Sequence, residues 1–157
     1  MPTSGPRTPG WPTSWTMPSR SCATWREGSI PRRVTQAGLA GAVEGLADRC
    51  QVPVEVDIPD HRYPPAVEVA AWFVIAEAVT NAVKHANATR ITVQARPTAG
   101  VLTLTVSDDG VGGAVPTEGS GLAGLADRLA ALGGRLGVTS AHGQGTIVTA
   151  DLPLATP

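Results

Sequence analysis

The stretch AVEVAAWFVIAEAVTNAVKHA at 66–86 most constrains what this chain can fold into. It follows Pro64-Pro65, a good helix start, and it is apolar except near its end. A helix of that kind has to be buried, so the rest of the chain must supply its cover. The period-two segments do so. PVEVD at 53–57 reads as a short strand, and TRITVQAR at 89–96 and VLTLTVSD at 101–108, joined by PTAG, read as an antiparallel hairpin. RLGVTSA and TIVTADLPL form a second hairpin around HGQG at 142–145. Upstream, TQAGLAGAVEGLADRC places Leu39, Val43 and Leu46 at helical spacing. LAGLADRLAALGG at 122–134 is a helix stopped by glycines. The order α-β-α-β-β-α-β-β predicts an α/β (α+β) two-layer sandwich. Its helices cover one face of a mixed, largely antiparallel sheet, and the other face is open to solvent.

The chain has 157 residues, room for one ordinary domain. With 12 basic and 13 acidic side chains, the net charge of -1 argues against direct nucleic-acid binding. Cys22 and Cys50 form no CxxC pair and read as incidental thiols in a reducing compartment. No uninterrupted apolar run approaches the roughly 18 residues of a membrane span, and the start has no secretory pattern. The expectation is a cytoplasmic protein with no membrane segment. Residues 1–33 differ in kind: they hold three of the four tryptophans, and prolines interrupt every window. The expected organisation is an irregular segment over 1–35, a domain over 36–154 and a tail over 155–157.

Three features could carry chemistry. On the long helix, Glu77, Asn81 and Lys84 fall at i, i+4 and i+7 on one face, with His85 beside them. A solvated polar stripe is the plain alternative. Asn81, however, is a mediocre helix former with a neutral oxygen suited to Mg2+. Glu77 could accept a proton or orient a nucleophile, and Lys84 could pair with phosphate. Second, VSDDGVGG at 106–113 ends a strand on two acids and follows them with three glycines. Asp-Gly is a hairpin signal, yet a loop and a helix follow before the next strand. Third, GSGLAG at 119–124 has the dinucleotide spacing, but a loop precedes it and no acid follows at the required distance, so a Rossmann site is rejected. No GxxxxGK[ST] segment is present either. Glycines at a helix start still suit an anion near Gly121–Leu125, the alternative being a flexible loop.

Taken together, these segments resemble the ATP-binding catalytic domain of sensor histidine kinases. That domain falls within the superfamily of gyrase B, Hsp90 and MutL, so the resemblance implies its Bergerat-type fold. AEAVTNAVKHANAT at 76–89 is similar to the N box, DDGVGG at 108–113 to the G1 box, GSGLAGLADRLAALGG at 119–134 to the G2 box, and GQGT at 143–146 to the last glycine box. The resemblance is strongest to the subfamily that partners LuxR/NarL-type response regulators, and it covers residues 36–154. It implies ATP and Mg2+ as ligands. Asp108 would accept a hydrogen bond from the adenine amine, and Thr146 would support the base through a water. Gly110 and Gly112 would let the backbone pass close to the nucleotide, with Gly145 in the last glycine box. Asn81 would coordinate Mg2+ and Glu77 would be the base or orienting acid. Lys84 and His85 would lie near phosphates or ribose. Gly119, Gly121, Leu122, Gly124 and Leu125 would form the lid and the phosphate-facing helix start.

The sequence departs from the subfamily in one respect. No R-x-x-x-x-L-H-D-like segment with a phosphoacceptor histidine precedes the domain, so the histidine would be supplied in trans by a phosphoacceptor domain. Relatives carry a Leu-His-Pro-Ala-like stretch where this chain reads GSIPRR at 28–33. One choice of codons for GSIPRR, shifted by two bases, encodes Leu-His-Pro-Ala. Residues 1–33 are therefore read as an out-of-frame translation of the missing helix, with a genuine extension as the alternative. The competing functional readings are an anti-sigma-factor-like regulatory module or serine kinase, and an inactive kinase fragment.

Overall fold

The computed structural model describes residues 32–114 and 121–155. Among them the order is α1 (Arg32–Ala47), β1 (Val54–Asp57), α2 (Pro65–Lys84), β2 (Ile91–Thr98), β3 (Val101–Asp108), α3 (Gly121–Ala131), β4 (Arg135–Ser140) and β5 (Thr146–Pro153). The strands form one mixed sheet in the order β1-β2-β3-β5-β4. β1 runs parallel to β2, and the other pairs are antiparallel. Alternation does what its period requires. Ile91, Val93 and Ala95, Leu102, Leu104 and Val106, and Val148, Ala150 and Leu152 are all buried. Their neighbours Gln94, Arg96, Ile147 and Asp151 are exposed. α2 lies over β2, β3 and β5, with α1 beside β1 and α3 beside β4. The expected α/β architecture is therefore the observed one.

α2 is the centre of the core, with Trp72, Val74, Ile75 and Val79 almost fully buried. It is long and apolar enough to pass for a membrane span, in contrast to the expectation from uninterrupted runs; more than half of it is buried inside the domain, which accounts for its apolarity. α3 is held to it in part by the Arg128 guanidinium, 5.2 Å from the centre of the Phe73 ring. α3 closes as the glycines predict: Gly133 adopts φ 72°, and the Gly134 N–H donates to the Leu129 carbonyl at 2.7 Å.

Several boundaries differ from the sequence reading, each for a physical reason. α1 begins at Arg32, and Val34 is already buried. The helix is broken at Gly38 (φ 72°, ψ -176°), where the Arg62 side chain passes close by. β2 runs on through Pro97 and Thr98, leaving only Ala99 (φ 50°) and Gly100 (φ 80°) as a two-residue hairpin turn. β1 pairs only as far as Gln94, so Pro97 sits where β2 has a free edge. α2 stops at Lys84, with His85 as its C-cap. Nor is α2 apolar up to its polar end. Glu68, in its first turn, is buried, ion-paired to Arg62 at 2.9 Å and hydrogen-bonded to the Tyr63 N–H at 3.0 Å. The reading of residues 1–31 lies outside the described residues, as does Gly119.

Candidate functional site

The register of three strands builds one end of the site. Asp108 on β3 pairs with Thr146 on β5, and Thr146 pairs with Ser140 on β4. Cross-strand partners share a face, so the three side chains form a row on the face where the helices pack. Asp108 is half-buried, and its Oδ1 accepts from the Gly110 N–H at 2.8 Å. Burial pushes its carboxyl above the usual range; the Gly110 and Thr146 N–H groups draw it back, and the Asp109 charge adds to the rise. The Thr146 hydroxyl is buried, 2.8 Å from Ser140 Oγ. Ser140 Oγ also accepts from the Ala114 N–H at 2.9 Å and lies 3.3 Å from the Gly145 carbonyl. Ser140 was missed by the sequence reading. Pairing the two strands around HGQG residue by residue would have found it.

The glycines around this row are held by the protein itself. Gly145 has φ 74°, and a Cβ there would sit 1.9 Å from the Asp108 carbonyl oxygen. Gly112 has φ 63°, and its Cβ would sit 2.0 Å from the Ala141 carbonyl oxygen. At Gly110 a Cβ would meet the Ala86 backbone. The Val111 N–H donates to Ala86 O at 2.8 Å, and the Gly143 N–H to Val111 O at 2.7 Å. Close packing of the loop after β3 against the end of α2 and the β4–β5 turn therefore requires glycine here before any ligand does. Asp109 belongs to this scaffold. Its carboxylate accepts from the Thr89 N–H at 2.7 Å, the Arg90 N–H at 3.0 Å and the Thr89 hydroxyl at 2.5 Å. The Thr89 hydroxyl, first among these, holds its carboxyl down at about 2.

The other end is the stripe on α2. Glu77 and Asn81 are half-buried, and Lys84 is exposed. Burial pushes the Glu77 carboxyl up, and the Asn81 amide and the Lys84 charge oppose this. Glu77 faces the start of α3: a Cβ on Gly121 would lie 2.1 Å from its Oε1. α3 has no acid in its own first turn, so the carboxylate at that helix end comes from α2. Asn81 Oδ1 is buried without a hydrogen-bond partner. Desolvation lowers the Lys84 ammonium, with Glu77 pulling the other way, and burial followed by the Lys84 charge lowers the His85 imidazole. His85 is exposed, just beyond the helix, its N–H on Asn81 O at 2.9 Å. Leu122 and Leu125 send their side chains into the core, leaving only their main chain to face a ligand, whereas Gly124 is exposed with open space around it. Among the described residues no three His, Cys, Asp or Glu side chains cluster as a metal site. An ion here would take Asn81 and complete its shell with ligand or water oxygens.

The sequence comparisons match the part of the chain that carries these residues. Residues 66–156 fit the model of the histidine kinase-, DNA gyrase B- and HSP90-like ATPases. The chain belongs to this family. Among its relatives are the signal transduction histidine-protein kinase/phosphatase UhpB of Salmonella typhimurium (31% identity over 134 residues, covering 78% of this chain and 26% of UhpB). The sensor histidine kinase NarS of Mycobacterium tuberculosis is 35% identical over 135 residues, covering 79% of this chain and 31% of NarS. The chain thus spans about a quarter to a third of the length of these relatives. The histidine kinase domain of a blue-light activated histidine kinase from Erythrobacter litoralis superposes with a TM-score of 0.64 at 26% identity, covering 78% of this chain and 69% of that one. The domain is the ATP-binding type found in sensor histidine kinases.

Proposed function

We propose that this domain binds ATP with Mg2+ and passes the γ-phosphoryl group to a histidine supplied in trans, in a two-component pathway whose response regulator is of the LuxR/NarL type. The observation that carries the reading is the pairing of Asp108 and Thr146 in one row with an unpartnered, buried Asn81 Oδ1 on the facing helix. Asp108 accepts the adenine amine, which guanine lacks at that position. Asn81 offers a hard neutral oxygen to Mg2+, and Glu77, one turn before it, orients or deprotonates the incoming nucleophile. Bound Mg2+ neutralises charge on the phosphates. Lys84 adds a mobile positive charge at the exposed end of the stripe. In the transfer, the bond from the γ-phosphorus to the bridging oxygen breaks and a phosphorus–nitrogen bond to imidazole forms, leaving ADP. The resemblance of the GLAGLADRLAALGG stretch to the kinase subfamily supports the regulator type, and the need for ATP supports a cytoplasmic site. Equilibrium binding of ATP and GTP tests the reading: ATP binds more tightly, and Asp108→Asn weakens ATP by about tenfold or more. Equal affinity for the two nucleotides in the unmutated protein would exclude the assignment of Asp108.

A further inference from the structure

α3 carries two glycines near its start, Gly121 and Gly124, and they face different surroundings. At Gly124 a Cβ would meet open space. At Gly121 the nearest atoms among the described residues all belong to the Glu77 carboxyl: Oε1, Cδ and Oε2 lie 2.1, 2.6 and 3.1 Å from where a Cβ would stand. Gly121 is helical and has no left-handed φ, so its backbone does not ask for glycine. Nor does packed main chain ask for it, as happens at Gly110, Gly112 and Gly145. Alanine would suit a helix better. What the missing Cβ leaves room for is the far end of one flexible side chain from α2.

The start of α3 is also the positive end of that helix. With no acid in its own first turn, it attracts the Glu77 carboxylate. Further along, α3 is fixed to α2 by the Arg128 guanidinium, 5.2 Å from the centre of the Phe73 ring. Gly121 and Arg128 stand at i and i+7, and Phe73 and Glu77 at i and i+4, so each pair shares one helix face. The two helices therefore meet along one seam, held at Arg128 and Phe73. A Cβ at Gly121 would move the carboxylate rather than the helix. We propose that Gly121 is a positioning residue: by lacking a Cβ it seats the Glu77 carboxylate against the start of α3 and so sets where that group meets the nucleophile. The inference rests on the reading of Glu77 as the orienting or deprotonating group. It gives Gly121 a task apart from the phosphate contact that the family resemblance implies.

The test uses the full chain and follows Mg2+-ATP binding, transfer of the γ-phosphoryl group to imidazole, and urea unfolding. Gly121→Ala should slow transfer by roughly 10- to 100-fold, with the smaller part of the loss in ATP affinity. Glu77→Asp draws the carboxyl back by one methylene and makes room, so Gly121→Ala should cost no further transfer in that background. It should also raise the urea midpoint more there than in the unmutated protein, and these midpoints decide where transfer to imidazole is too slow to read. A Gly121→Ala chain that folds only together with Glu77→Asp would show the same coupling, and one that folds in neither background would overturn the inference. Equal effects of Gly121→Ala in the two backgrounds would overturn it too, and an equal loss of ATP affinity would assign Gly121 to the nucleotide. Full transfer by Glu77→Gln would overturn the reading of Glu77 and this inference with it.

Discussion

The two ends of the proposed site, one for the base and one for the phosphates, are built on opposite plans. The base end is knit together by the main chain. Asp108, Ser140 and Thr146 are held by strand register, Asp109 fastens Thr89 and Arg90, and Gly112 and Gly145 let loops meet backbone to backbone. The phosphate end rests on side chains of one helix: an amide oxygen with no partner, a half-buried carboxylate and an exposed ammonium. The first end is finished before any ligand arrives. The second has polar capacity left over, and a buried acceptor without a partner costs free energy until something meets it. On the proposed reading, rigid selection and unfilled coordination are thus divided between sheet and helix.

That contrast can be broken at either end. The largest expected effect is at Asn81. Asn81→Ala should abolish Mg2+-dependent phosphoryl transfer to a histidine substrate in trans, while ATP binding measured in EDTA persists, because only the metal's charge stabilisation is lost. Unchanged transfer would remove Asn81 from the metal site. Next is Gly145→Ala. Positive φ and a contact with the Asp108 carbonyl should together cost about 3 kcal/mol or more in urea unfolding. Gly124→Ala is its control: with open space and helical backbone, it should gain about 0.5–1 kcal/mol. If both substitutions destabilised alike, the base end would not be the more tightly packed of the two.

The smallest effect separates the two adjacent acids by pH. Asp109 is depressed to about 2, below the ordinary carboxylate value of 3.8. It therefore adds stability above about pH 4 that is lost as the pH falls through 2. Asp108 is raised, so its ionisation works against the fold as the pH rises past 3.8. Unfolding curves for Asp109→Ala and the unmutated protein should differ at neutral pH and converge toward pH 2. A constant gap across that window would show that Asp109 does not act through its charge.

Local pattern carried much of this molecule. Leu39, Val43 and Leu46 are buried as their spacing implied, and the alternating strands sort their residues by face. The proposed site residues Glu77, Asn81 and Asp108 each sit within a short recognisable run, so the proposal for them could be made from sequence. What escaped depends on contacts distant in sequence. Ser140 acquires meaning only from its register with Thr146, and Asp109 only from its bonds to Thr89 and Arg90 just before β2. Glu68 looked like part of an apolar run because no local signal shows that Arg62 will fold back on it. The break at Gly38 is hidden in AGLAGA, where a glycine among alanines reads as helix.

The hairpin turn at Ala99-Gly100 divides the chain in a way that bears on the site. The side chains proposed for metal, phosphate and nucleophile (Asn81, Lys84 and Glu77) precede it, in the β1–α2–β2 unit. Both side chains proposed for the base (Asp108 and Thr146) follow it. A nucleotide lying across both would act as mortar between two consecutive halves of the polypeptide. Its binding energy would then appear as resistance of the halves to separation, growing with ligand concentration.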